Sequence, residues 1–123
     1  MAKERKKILI VEDNPSNLKL FKFILEPVKC KLLEAYDGAE ALRIAREEKP
    51  DIILMDIQIP KMDGLEVTRQ LRKLDEFKET PIIALTAFAM DRDEKAGFEA
   101  GCSDYLTKPF NTEKLMNILS KYL

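Results

Sequence analysis

Two short runs of the chain, Ile8–Val11 (ILIV) and Ile52–Met55 (IILM), contain no polar residue at all. A strand with one wet face alternates polar and apolar residues. A continuous apolar run needs cover on both faces, which a parallel sheet between two helical layers provides. Three further runs follow the same rhythm: Lys31–Ala35 (KLLEA), weaker and edge-like, Pro81–Leu85 (PIIAL), and the short pair Tyr105–Leu106. Between them lie helical periods. Leu18, Phe21, Leu25 and Val28 form one, with Pro27 predicted to end that helix before Val28. Val67, Leu71 and Leu74 form another, and Leu115, Ile118, Leu119 and Tyr122 a terminal one. Asn14 before Pro15 reads as an N-cap with proline at the first helical position. Asp37, Asp63, Asp91 and Asn111 are the other candidate caps. The alternation predicts (βα)5, a doubly wound α/β sheet with helices on both faces and a single domain over 1–123.

Composition narrows the chemistry. With 123 residues, 46% of them hydrophobic, the chain can bury about two thirds of its unfolded surface. Lys+Arg 21 against Asp+Glu 22 nearly cancel, which argues against a direct nucleic-acid or membrane-surface binder. No apolar run approaches the ~20 residues that span a bilayer, and no signal-peptide pattern is present, so a cytoplasmic protein is expected. Cys30 and Cys102 fit no metal or redox motif and suit a reducing compartment. There is no histidine, so His-dependent triads, dyads and zinc sites are excluded. A metal here should be a hard cation held by oxygen.

The acids sit where such a sheet would place a ligand. In an open parallel sheet, ligands bind beyond the carboxyl ends of the strands, where the strand order reverses. The first strand ends in Glu12-Asp13 and the third in Asp56. With the order 2-1-3-4-5 these strands are neighbours, and three carboxylates meet. At an effective dielectric near 20, each pair repels by about 4 kcal/mol at 4 Å. Either a cation compensates or one acid stays protonated; Mg²⁺ is the expected cation. Thr86 ends the fourth strand and Lys108 follows the fifth, bringing a hydroxyl and an ammonium to the same rim. Taken singly, Glu12-Asp13 also suit a helix dipole, Thr86 a cap and Lys108 a solvated surface. Together they suit phosphoryl transfer, with Asp56 as the nucleophile and the incoming oxygens neutralised around it.

Four stretches, ILIVEDNPSN, DIILMDIQIPKMDGLEVTRQLR, PIIALTA and GCSDYLTKPF, resemble the receiver domain of two-component response regulators across essentially the whole chain. The resemblance implies a flavodoxin-like sheet of order 2-1-3-4-5. It implies Asp56 as phospho-acceptor, Asp13 and Asp56 as direct Mg²⁺ ligands, Glu12 acting mostly through water, and the Gln58 backbone carbonyl completing the protein's share of the shell. Thr86 and Lys108 would contact the phosphoryl oxygens, Tyr105 would be the switch aromatic, and the Lys108–Pro109 peptide would be cis. The donor would be the phosphohistidine of a histidine kinase or histidine phosphotransfer protein, and the output a downstream protein target. The chain would be no enzyme beyond its own phosphorylation and dephosphorylation, and would be either a stand-alone regulator or an excised receiver. The first turn of the first helix (Pro15, Leu18) and Pro109-Phe110 would flank the docking site, although Leu18 also suits the core.

Three other readings share parts of this pattern. A phosphohydrolase of the haloacid-dehalogenase type wants a second acid two residues after its nucleophile, where Gln58 stands. A flavodoxin-like mononucleotide binder wants a phosphate loop after the first strand, where two acids stand. A pure protein-interaction module would leave the residue set unused. Gly97, within the fourth helical pattern, is either a point of helix mobility or a tolerated glycine.

Overall fold

The computed structural model describes residues 6–57, 63–86, 91–108 and 110–122. Five parallel strands, β1 (Lys6–Val11), β2 (Cys30–Ala35), β3 (Ile52–Asp56), β4 (Ile82–Thr86) and β5 (Asp104–Thr107), form one sheet in the order β2-β1-β3-β4-β5. The connecting helices are α1 (Pro15–Leu25), α2 (Gly38–Glu48), α3 (Gly64–Arg72), α4 (Asp91–Ala100) and α5 (Thr112–Leu119). A short 3-10 turn, Asp75–Phe77, follows α3. The doubly wound (βα)5 architecture and its strand order are those expected.

The unbroken apolar runs divide by parity. Ile8, Ile10, Ile52, Leu54, Ile83 and Leu85 face one layer, where Leu18, Phe21 and Leu25 of α1 meet Leu115 and Leu119 of α5. Leu9, Val11, Ile53, Met55, Ile82 and Ala84 face the other, against Ala41, Ala45, Val67, Leu71 and Phe77. Both faces are therefore dry, which is why no polar residue interrupts these strands. At the sheet edge, β2 is only half-buried along most of its length.

Local signals hold at the helix starts. Asn14 accepts from Ser16 N at 2.8 Å, Asp37 from Glu40 N at 2.8 Å, Asp63 from Glu66 N at 2.9 Å and Asn111 from Lys114 N at 2.8 Å. Each such cap is worth roughly 1 kcal/mol. Asp91 differs: it is the first helical residue of α4, not a cap before it. α1 stops two residues ahead of Pro27, and Val28 packs on the core from outside the helix, as expected.

Two further periodic positions fall beyond their helices. Leu74 has extended backbone (φ −90°, ψ 128°) after α3 has ended, and Tyr122 follows α5. Both still pack on the core, so apolar spacing outlasts the helical hydrogen bonds that produced it. β5 is longer than the pair Tyr105–Leu106, because it pairs with β4 from Asp104 to Thr107.

At the amino-terminal edge of the sheet, Arg72 gathers the loops. Its guanidinium donates to Gly101 O (2.8 Å), Phe77 O (2.5 Å), Thr80 O (2.7 Å) and Ser103 Oγ (3.2 Å). Gly101 closes α4 with φ 113°, a conformation that favours glycine. This scaffold leaves the opposite, carboxyl edge free for chemistry.

Candidate functional site

Glu12 continues β1 directly: its N–H donates to Ala35 O of β2 at 3.0 Å. Asp56 is the last residue of β3, in register with Leu85 of β4. β1 and β3 are adjacent, with Val11 opposite Met55, so the next residues along, Glu12 and Asp56, come side by side. Ligand oxygens of Glu12, Asp13 and Asp56 all lie within 4.8 Å of one another. Glu12 is 1% exposed and Asp56 4%, while Asp13 opens to solvent. At that separation each pair of ionised carboxylates repels by about 3 kcal/mol at an effective dielectric near 20.

Lys108 supplies part of the compensation. Its Nζ donates to Glu12 Oε2 at 2.7 Å and to Asp56 Oδ2 at 2.9 Å, two charge-assisted bonds. Burial alone would lower the ammonium's pKa; the bonds to Glu12 and Asp56, with their charges, outweigh it and raise it above the ordinary lysine value. Lys108 N–H also donates to Thr86 O at 2.6 Å, tying its loop to the end of β4. Phe110, two residues on, stacks against Phe21 of α1 with ring centroids 5.0 Å apart. Lys108 is therefore an anchored, half-buried cation, not the solvated surface charge that suited it in isolation. The protein thus brings a cation of its own to the acid cluster.

The Glu12 carboxylate accepts two hydrogen bonds. One oxygen takes Lys108 while Oε1 accepts from Asn14 N at 3.2 Å, at the start of α1. Thr86 is buried at the rim as the last residue of β4, five residues ahead of α4 and so not its cap. Tyr105 is half-buried on β5; its ring approaches the position a Cβ on Gly97 would occupy to 3.8 Å. Gln58 and the Lys108–Pro109 peptide lie outside the described residues. Leu18 is buried in the core; the exposed apolar residues of α1 are Leu20 and Phe23, the latter 74% exposed.

The donor set is three carboxylates with no nitrogen or sulfur, which fits a hard divalent cation. An acid triad, an ammonium and a hydroxyl share one rim, so the site can bind a cation and an anionic group together. Residues 8–120 match the response regulator receiver domain family. The chain belongs to that family.

The receiver domain is 44% identical over 118 residues to the polar-differentiation response regulator DivK of Brucella anthropi, covering 96% of each chain. The DivK of Brucella ovis is 43% identical with the same coverage. Among solved structures, the receiver domain of the sensor histidine kinase PA1611 from Pseudomonas aeruginosa PAO1 superposes with a TM-score of 0.89 at 38% identity. That match covers 97% of this chain and 98% of the other, and that structure has a magnesium ion coordinated in its active-site cleft. The chemotaxis response regulator CheY4 of Vibrio cholerae matches with a TM-score of 0.91 at 32% identity, covering 98% and 100%.

This is a signalling protein of the two-component type, and receivers of this kind work with histidine kinases and downstream targets. Among the described residues no helix is long and apolar enough to cross a membrane. Sequence reasoning missed Gly64, which packs against the backbone of Asp56 and Ile57, and Thr68, whose hydroxyl donates to Gly64 O. Asp63 carried a helix-start signal, but nothing in the sequence signalled what Gly64 touches.

Proposed function

We propose that the whole chain, 1–123, is one cytoplasmic receiver domain that accepts a phosphoryl group on Asp56 from a phosphohistidine of a histidine kinase or phosphotransfer protein. The observation that carries this reading is the convergence of Glu12, Asp13 and Asp56 within 4.8 Å, with the Lys108 ammonium 2.9 Å from Asp56. In this reading Asp13 and Asp56 bind Mg²⁺ directly, Glu12 acts through water, and the Gln58 carbonyl completes the set. When bound, Mg²⁺ would supply positive charge to neutralise the oxygens of the incoming group. A carboxylate oxygen of Asp56 forms the new O–P bond as the P–N bond of the donor breaks, and the bonding pair leaves with the imidazole. The Lys108 ammonium moves its hydrogen bonds onto a phosphoryl oxygen, and the Thr86 hydroxyl donates to another. Tyr105 follows Thr86 inward, altering the surface offered to a downstream protein. The chain catalyses only its own phosphorylation and dephosphorylation.

The donor's docking face is the outer side of α1, where Leu20 and Phe23 are exposed, in place of Leu18. The deciding experiment incubates the protein with acetyl phosphate and Mg²⁺ and follows intact mass. One alkali-labile phosphoryl group is expected, absent without Mg²⁺ and absent in Asp56→Asn. A group that persists in Asp56→Asn would refute the assignment.

A further inference from the structure

We propose that Gly64, backed by Thr68, is a positioning residue of the acid site: the bare first turn of α3 is the stop that sets the Asp56 carboxylate against Glu12 and Asp13. The inference rests on the functional reading above. A Cβ added at Gly64 would run into the Asp56 carbonyl oxygen and would lie 2.9 Å from Ile57 Cα and 3.0 Å from the Asp56 carbonyl carbon. These obstacles are backbone, which cannot swing aside as a side chain would. Gly97 in α4 contrasts with it: there the nearest atoms to such a Cβ are 3.8 and 4.0 Å away, ordinary contact.

The close approach is bonded from both sides. Gly64 N–H donates to Ile57 O at 2.9 Å, so the chain leaving β3 is back against it at the first residue of α3. Thr68, fully buried, donates its hydroxyl to Gly64 O at 2.8 Å. On the opposite flank, Ile57 N–H donates to Leu85 O of β4 at 3.0 Å. The end of β3 is thus gripped between β4 and the first turn of α3. The Glu12 backbone has a further anchor of its own, a bond to β2. A shift of α3 away from β3 therefore moves Asp56 relative to its two partner acids. Mg²⁺ demands ligands at about 2.0–2.1 Å in near-ideal octahedral geometry, so a displacement of a few tenths of an ångström registers in affinity.

The test titrates the full chain with MgCl₂ by calorimetry and follows labelling by acetyl phosphate in parallel. Gly64→Ala should bind Mg²⁺ at least about tenfold more weakly, the loss typical of removing support behind a ligand, and label correspondingly slowly. Thr68→Val, which keeps the shape and removes the hydroxyl, should weaken Mg²⁺ binding about two- to threefold, a smaller share of the same support. Gly101→Ala is the control, because it destabilises the fold from the opposite edge of the sheet, and its Mg²⁺ affinity should stay that of the wild type. A folded Gly64→Ala with wild-type affinity overturns the proposal, as does equal weakening in Gly101→Ala. If Gly64→Ala does not fold, an unchanged affinity in Thr68→Val overturns it. A wild-type chain that binds no Mg²⁺ and takes no phosphoryl group overturns the functional reading itself, so the two failures are distinct.

Discussion

Lys108 Nζ lies 2.9 Å from Asp56 Oδ2, although 52 residues of chain separate the two. The same ammonium reaches Glu12, so one cation serves two of the three clustered acids. Its removal should matter most when no metal is present. Lys108→Met is expected to lose about 3 kcal/mol of stability in metal-free buffer, the low end for a broken buried ion pair because the rim is open to water. Mg²⁺ should recover much of that loss by taking over the compensation. Urea unfolding with and without Mg²⁺ measures both. Equal stability of variant and wild type in EDTA would mean that the ammonium relieves none of the repulsion.

The glycines of α4 and its C-terminal turn should respond in opposite ways. Gly101 has φ 113°, and a Cβ there would meet Arg72 Cγ at 2.7 Å. Arg72 is committed to three backbone carbonyls and cannot easily yield. Gly101→Ala should cost roughly 2–3 kcal/mol, the upper range for a strained backbone residue. Gly97 has room for a methyl group, and Gly97→Ala should stabilise by up to about 1 kcal/mol through helix propensity. Denaturant midpoints at constant m-value decide both.

Phe23 offers a separation of docking from chemistry. It is 74% exposed on α1, so Phe23→Asp should change stability by no more than about 0.5 kcal/mol. Transfer from a phosphorylated histidine kinase or phosphotransfer protein should slow by roughly tenfold or more, the effect of removing an aromatic anchor worth at least ~1.4 kcal/mol. Labelling by acetyl phosphate, which needs no protein surface, should proceed at the wild-type rate. Unchanged transfer from the protein donor would remove Phe23 from the docking face.

Alkaline stability should fall in part through Cys102. Burial pushes its thiol above the ordinary value of 9.0, opposed by the Thr68 hydrogen bond and the charge of Arg72. A raised folded value means that the stabilising contribution is complete below pH 9. It is lost as pH climbs from there through the folded value, because the unfolded chain releases its proton first. Cys102→Ala should flatten that part of the stability–pH curve while leaving the region below pH 8 parallel to wild type. Identical slopes above pH 9 would contradict it.

Much of this protein is written in short-range pattern. The dry strands Ile8–Val11 and Ile52–Met55 announce burial on both faces, and Asn14, Asp37, Asp63 and Asn111 each cap a helix through a neighbour two or three residues away. The type and place of the site residues follow from the same source, because a strand's end is a local event and Glu12, Asp13, Asp56 and Thr86 mark those ends. Periodicity outlasts the helix at element ends: Val28, Leu74 and Tyr122 keep their spacing after the helix has stopped.

The arrangement of these pieces is a different matter. That the Lys108 ammonium sits between Glu12 and Asp56, that Leu18 turns inward while Phe23 turns out, and that Gly64 is bare because Asp56 and Ile57 backbone fills the space where its side chain would be, are all decided by lateral packing. Composition and order along the chain determine which elements form and which chemical groups they carry. Only the folded sheet determines which groups meet, because Lys108 and Glu12 are 96 residues apart and their 2.7 Å contact depends on the strand order and register that bring the ends of β1 and β5 to one rim.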